Sequence, residues 1–253
     1  MFVHGFGADK DSWITFLPSF SNSYRLVVPD LPGFGESSVS GKANFDIPSQ
    51  TKRFARFIDK VGLNSFHLIG VSMGGYISAY YASEYPEKIR SLTLIDAAGV
   101  VSPTPSYTWQ RYKQDQKILL LYKNRKEFDK FLSVLFHNPP YIPSRFKKYF
   151  IERGARKYQH YKKILEEMVD GGMGLLETRL NKIKAKTLLI WGKNDSIIHV
   201  SSVEKFKQGI EDCRAVIIHD CGHVPYLECP DKTERIYKNF LDYFHFDTSH
   251  QVL

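Results

Sequence analysis

The chain is 253 residues long, 43% hydrophobic and 25% charged, a size and balance that fit one large globular domain or a core with an inserted lobe and exclude disordered, collagen-like and low-complexity readings. No run approaches the ~20 apolar residues of a membrane-spanning helix, and Met1-Phe2-Val3 leads straight into His4-Gly5 without the basic segment and long apolar stretch of a secretory signal. The net charge of +8 is uneven, because between Val101 and Lys186 there are 19 lysines and arginines against 8 acidic residues, a net of +11.

That basic excess reads first as solvated helix faces and second as attraction to an anionic membrane surface or an acidic substrate. No nucleic-acid-binding motif accompanies it, so nucleic acid is not an expected partner.

Short runs rich in Val, Ile and Leu alternate along the chain with longer helical patterns, which predicts parallel strands buried on both faces and crossed over by helices. This is an α/β layer architecture. The first strand spans Met1 to Val3, short against the usual five or six residues or so, and feeds the glycine-flanked loop His4-Gly5-Phe6-Gly7. A second strand is expected over Tyr24 to Pro29, followed by Asp30-Leu31-Pro32-Gly33-Phe34-Gly35, where Asp30 reads as the brace of a loop. A helix over Asp46 to Val61 leads to a strand over Phe66 to Val71.

There the pentapeptide Gly70-Val71-Ser72-Met73-Gly74 sits between the apolar run Phe66 to Ile69 and a helix expected over Met73 to Tyr85. A G-x-S-x-G motif carries weight only in such a strand-to-helix setting. It predicts a tight, strained turn that presents the Ser72 hydroxyl at a helix N-terminus, where free amides favour developing negative charge. Gly70 and Gly74 are then small because bulk would strike neighbouring backbone, and Gly75 lets the helix pack close.

The next strand, Ser91 to Asp96, is followed by a stretch from about Ser102 to Ile183 with no strand-like run, in which aromatics recur among lysines at helical spacing: Trp109 with Tyr112, Phe128 with Phe131, Phe146 with Phe150. Residues 101–183 are therefore read as a helical cap inserted into a core formed by 1–100 and 184–253. Pro139-Pro140-Tyr141-Ile142-Pro143 divides the cap into two helical groups. Its aromatic stripe reads as internal packing of the lobe before it reads as a ligand box.

Strands follow at Thr187 to Trp191 and Ala215 to His219, with helices over Val200 to Ile210 and Asp231 to Phe246. A serine hydroxyl needs a base, and a histidine with a near-neutral pKa suits the task. Of nine histidines, His223 lies in the loop after the last strand, where it can reach back over the sheet's carboxyl edge. His219 and His67 are placed within strands and read as packing residues, while His245 and His250 belong to the terminal helix and tail. The base needs an acid to orient it. Asp195, in Trp191-Gly192-Lys193-Asn194-Asp195, completes the chain order nucleophile, acid, base, and Asp96 satisfies the same order as its competitor. The backbone N–H groups of Phe6 and Met73 are the expected oxyanion donors, with His4 and Gly5 supporting the Phe6 loop. Cys213, Cys221 and Cys229 match neither a disulfide framework nor a zinc-ligand spacing. They read as reduced thiols, and with the signal-free start they lead to an expected cytoplasmic location.

With these pieces in place, the chain resembles the α/β-hydrolase superfamily and within it is most similar to monoacylglycerol-lipase-like, ABHD-type enzymes and related bacterial lipases. The resemblance is carried by His4 to Trp13 (HGFGADKDSW), Asp30 to Ser37 (DLPGFGES), His67 to Gly75 (HLIGVSMGG), Trp191 to Asp195 (WGKND) and Cys221 to Pro230 (CGHVPYLECP). It implies a triad of Ser72, Asp195 and His223, an oxyanion hole from Phe6 and Met73, no metal or organic cofactor, and a cap inserted after the sixth strand. It also implies two further strands before the HGFG loop; these are missing here, so the strand over Tyr24 to Pro29 is expected to be an unprotected edge.

The expected activity is hydrolysis of a carboxylic ester, of an acylglycerol or another lipophilic acyl chain, through an acyl-enzyme on Ser72. Two alternatives stand beside it. Carbon-carbon bond hydrolases of ring-cleavage products share the triad and cap, but are expected to carry an aromatic residue where this chain has Val224. A non-catalytic binding or receptor protein with the same fold is the alternative from another class. Dehalogenases and epoxide hydrolases fit less well, since they carry a carboxylate where Ser72 stands.

Overall fold

The computed structural model describes residues 1–39 and 43–248. Five strands, β1 (Phe2–Val3), β2 (Phe66–Val71), β3 (Ile89–Ile95), β4 (Lys186–Gly192) and β5 (Cys213–Ile218), form one sheet in the order β1-β2-β3-β4-β5. All four neighbouring pairs are parallel. The helices are α1 (Ile47–Val61), α2 (Met73–Glu84), α3 (Tyr107–Asp115), α4 (Arg125–Leu135), α5 (Ser144–Asp170), α6 (Ser202–Gly209), α7 (Pro225–Glu228) and α8 (Pro230–Thr248).

The sheet is buried on both faces, and the alternation along each strand shows how. Val3, Leu68, Leu94, Leu189 and Trp191 belong to one apolar cluster with residues of α1, α2 and α6. Phe2, Ile69, Ile95, Leu188 and Ile190 belong to a second, with Trp13, Phe16, Phe20 and, from α8, Tyr237 and Leu241. Side chains one residue apart therefore point to opposite layers, as a period-two strand requires. Helix α2 is buried along nearly its whole length, the pattern of a helix surrounded by protein rather than lying at the surface. Helix α1 starts where Asp46 accepts the Ser49 N–H at 2.6 Å and stops at Gly62, whose φ of 72° takes the left-handed cap conformation.

Two sequence expectations need correction. Tyr24 to Pro29 forms no strand, although Phe2 N–H donates to the Val27 carbonyl at 2.9 Å. Its neighbour β1 has two residues, too few to build a ladder along a six-residue run. His219 lies beyond β5, which ends at Ile218, and is exposed rather than packed. His67 is in β2 as expected, with Nδ1 2.7 Å from Ser91 Oγ. The side chain of His245 and all of His250 lie outside the described residues.

Between β3 and β4 the chain makes α3, α4 and α5 and no strand. The proline run 139–143 separates α4 from α5, with Pro143 preceding the first turn of the 27-residue α5. Among the described residues, no helix is long and apolar enough to cross a membrane.

Candidate active site

Parallel register places the carboxyl ends of all five strands at one edge. Val3 is level with Gly70, Val71 with Ile95, Ile95 with Ile190, and Gly192 with Ile218. The turns after β1, β2, β3, β4 and β5 therefore bring His4 to Gly7, Ser72, Asp96, Asp195 and His223 together at that edge, the usual ligand-binding side of an open parallel sheet.

Ser72 takes φ 55° and ψ −121°, a backbone conformation that favours glycine and costs about 1–3 kcal/mol for other residues. Three bonds hold it there: Ser72 N–H donates to the Ile95 carbonyl (3.0 Å), and the Ser72 carbonyl accepts from Tyr76 N–H (3.0 Å) and Ala98 N–H (3.1 Å). The glycines on either side leave no room for a side chain. A Cβ at Gly70 would lie 2.5 Å from the Gly74 carbonyl oxygen and from Ser78 Oγ; one at Gly74 would strike the Val3 and His4 carbonyls. At Gly75 a Cβ would come within 2.6 Å of Ala97 Cβ.

The loop after β1 presses on this turn, since a Cβ at Gly5 would be 3.2 Å from Ser72 Cβ. His4 is buried beneath it. Its Nδ1–H donates to the Gly5 carbonyl (2.8 Å) while Nε2 accepts the Leu31 N–H (2.9 Å), a pair of bonds that only the neutral ring satisfies. Burial lowers the His4 pKa, in keeping with that form. Phe6 N–H has no acceptor among the described residues, and Met73 N–H, at the start of α2, has no intrahelical one. Asp30 braces the neighbouring loop by accepting Lys10 N–H (2.7 Å) and Glu36 N–H (2.9 Å).

His223 is buried, with Nδ1 2.8 Å from Asp195 Oδ2. The other oxygen of Asp195 accepts N–H groups from Ile197 (2.7 Å) and Ile198 (3.0 Å). Asp195 is thus oriented by the turn that follows it, and His223 by Asp195. Asp96 stands beside this pair: one polar atom from each of Asp96, Asp195 and His223 lies within 4.8 Å of the others. Asp96 Oδ1 accepts Gly192 N–H (2.9 Å), and its Oδ2 is sealed from solvent without a well-aligned partner. Burial, and then the neighbouring Asp195 carboxylate, raise the Asp96 pKa well above the usual range. The shift favours the neutral acid, because ionising two adjacent buried carboxyls is costly.

Ser72 and His223 line the same cavity, about 480 Å³ in volume. Its wall is mostly apolar, and a large part of it comes from α4, α5 and the segment before α4, including Leu121, Phe128, Phe131, Leu132 and Phe150. This corrects part of the sequence expectation. Phe128 packs on Phe131 and on Phe150, with centroids 6.3 and 6.2 Å apart, but all three also line the cavity that Ser72 lines. Trp109 and Tyr112 stack on each other away from it. The polar exceptions in the wall include Asp9 and Arg153, an ion pair joining the loop after Phe6 to α5. Sequence reading singled out neither residue; an acid close behind a G-x-G loop is the only local signal, and its partner lies far along the chain. The three cysteines are free thiols.

A strained serine at a strand-to-helix turn, a buried His-Asp pair and a shared apolar cavity define an α/β hydrolase, and the chain belongs to that family: the family model described as alpha/beta hydrolase fold matches residues 1–230. Individual relatives narrow the neighbourhood. The chain is 32% identical over 250 residues to monoacylglycerol lipase abhd6-A of Xenopus laevis, covering 95% of this chain and 74% of that protein. It is 34% identical over 241 residues to lipase 1 of Psychrobacter immobilis, covering 95% and 75%. Among solved structures it superposes with a TM-score of 0.91 and 38% identity on a membrane phospholipase A described as a bacterial virulence factor, covering 95% of this chain and 77% of that one.

Proposed function

We propose that the protein is a serine hydrolase that cleaves carboxylic esters of lipophilic acyl chains, with acylglycerols as the substrate class. The observation that carries this reading is the opening of the Ser72 turn and the His223–Asp195 pair into one mostly apolar cavity. In the proposed cycle the Ser72 hydroxyl attacks the ester carbonyl while His223 takes its proton through Nε2. Asp195 holds Nδ1–H and stabilises the imidazolium, and His223 then returns the proton to the leaving alcohol. Water, activated in the same way, releases the fatty acid. The amides of Phe6 and Met73 are directed at the oxyanion, where preorganised donors act most strongly. Residues 101–183 serve as the lid of the core, and their apolar wall takes the acyl chain. The names of the lipase relatives support this substrate class.

The test uses a fluorophosphonate probe and an ester panel. The wild-type protein is expected to be labelled and to hydrolyse monoacylglycerols faster than diacyl phospholipids. Ser72→Ala is expected to lose both activities, and persistent labelling of that variant would sink the reading.

The lid also presents a surface suited to an anionic membrane. Tyr141, Phe146 and Tyr149 are 89%, 56% and 52% exposed, Ile142 and Tyr149 line the cavity, and Arg145, Lys147 and Lys148 lie among them in sequence. Peripheral docking there would put the cavity mouth against lipid. Binding to vesicles containing phosphatidylglycerol is expected to weaken at least about tenfold between low and ~0.5 M salt, as screening shortens the reach of the lysines and arginines. Salt-independent binding, or none, would reject the docking surface.

A further inference from the structure

Three backbone amides converge on the carboxylate of Glu228, the last residue of α7. Gly222 N–H donates to Oε2 at 2.7 Å, His137 N–H to the same oxygen at 3.2 Å, and Asn138 N–H to Oε1 at 2.6 Å. Gly222 immediately precedes His223, whereas His137 and Asn138 follow the end of α4 in the lid. A fourth bond joins the same two segments directly, from His223 N–H to the Leu135 carbonyl at 2.9 Å. The contact is close along its length: a Cβ at Gly222 would be 2.6 Å from His137 N and 2.9 Å from the Leu135 carbonyl oxygen.

The stability of α7 does not explain an acid at this position. A negative charge at a helix C-terminus opposes the helix dipole, and α7 is a single turn. What the carboxylate does gain is three amide donors, and hydrogen bonds to an ionised acceptor are about twice as strong as neutral ones. Two of these donors belong to the lid and one to the histidine loop, so the carboxylate acts as the link between them.

We propose that Glu228 is a positioning residue that ties the His223 loop to the C-terminal end of α4, so that the imidazole is correctly aimed only while that end of the lid is seated. The proposal rests on the reading of His223 as the general base. It makes the lid a part of the support of the catalytic histidine as well as a wall for substrate. It also implies that any opening of the lid which lets substrate in must pivot elsewhere than at residues 135–138, or else disarm the base while the lid is open.

The test is Glu228→Gln, which keeps the size and one acceptor oxygen but turns an NH2 group toward at least one of the amides. It is assayed beside the wild type and Ser72→Ala with a short ester, p-nitrophenyl acetate, and a long-chain p-nitrophenyl ester, with thermal melting and the rate of fluorophosphonate labelling measured on the same samples. The expected result is a fall in kcat of about 10- to 100-fold on both esters, the range that a misplacement near 1 Å produces, with KM for the short ester within about twofold. Labelling slows by a similar factor, and the variant remains folded at the assay temperature.

Unchanged kcat on the short ester overturns the proposal, including the case in which only the long-chain ester suffers, since Glu228 would then shape the cavity alone. A loss of kcat that merely follows the folded fraction overturns it as well. If the glutamine variant melts below the assay temperature, Asn138→Pro decides: it deletes one donor, leaves the carboxylate in place, and is expected to lower kcat on both esters. Turnover by Ser72→Ala at the wild-type rate would instead be a failure of the catalytic reading, which the Ser72 arm reports separately.

Discussion

Replacing His223 with alanine is expected to lower kcat by about a million-fold, the scale on which removal of the base disables a serine nucleophile, while KM stays within a few-fold of the wild type. The reason lies in how the ring is held. Its Nδ1 is fixed against Asp195 Oδ2 at 2.8 Å and the ring is buried beside the cavity that Ser72 lines, so the proposed base is held in place by its acid, and water alone is a poor substitute for it. The substitution leaves the cavity almost intact, because His223 is one of many lining residues and most of the others come from the loop after β1, the segment before α4, α4, α5 and α7. Asp195 also keeps the amides of Ile197 and Ile198 as partners, so the turn that carries it should hold. Steady-state kinetics on a p-nitrophenyl ester, with melting curves as control, checks this. An alanine variant within about 100-fold of wild-type kcat would mean that another group takes the Ser72 proton.

The second large effect separates two adjacent acids. Asp195→Asn is expected to cost about 10,000-fold in kcat, since an amide can neither hold Nδ1–H of the correct tautomer nor stabilise the imidazolium. Asp96→Asn is expected to stay within about tenfold, because Asp96 already favours the neutral form and asparagine keeps an acceptor for Gly192 N–H. The pH dependence of stability gives an independent reading. Burial first, and the Asp195 charge second, raise the folded pKa of Asp96 above its unfolded value. The stability that its proton supports is therefore whole below the ordinary aspartate pKa and is lost as pH rises through the raised folded value. The Asn variant has no such proton to lose, so its melting temperature relative to wild type should climb with pH. The opposite kinetic pattern, a severe loss at Asp96 and a mild one at Asp195, would transfer the acid's role to Asp96.

Which parts of this were legible in the sequence follows from how local each feature is. The Ser72 turn could be read because strand, glycine pair and helix are contiguous, and the demand for small residues at 70 and 74 acts within a few residues and against the end of β1. The choice between Asp195 and Asp96 could not be closed by chain order, because both follow strands that are neighbours in the sheet, Ile95 level with Ile190. Tyr24 to Pro29 has the composition of a strand but lacks a neighbour long enough to pair with, and composition does not reveal the neighbour. His219 fell outside its strand because β5, last in the sheet order, ends with its last apolar residue, Ile218. The cavity-lining role of Phe128, Phe131 and Phe150 depends on where α4 and α5 sit over the sheet, which helical spacing cannot express. Glu228 was invisible for a different reason: its partners are backbone amides, and every residue but proline has one.

The alignment of five strand ends at one edge bears on how the protein comes to have a site at all. Phe6, Ser72, Asp195 and His223 come from turns spread across most of the chain, and each is held by the strand before it. No fragment that folds early holds more than a part of the constellation. The strand pairs that unite these turns close long loops, the slow and entropically costly class of contact in folding. A chain with β2 and β3 paired but β4 and β5 still undocked would own a complete Ser72 turn and the exposed apolar faces of α4 and α5, with His223 not yet beside them. In such a species Ser72 lacks His223 while apolar helix faces are uncovered, so the hazard during folding is aggregation rather than stray hydrolysis.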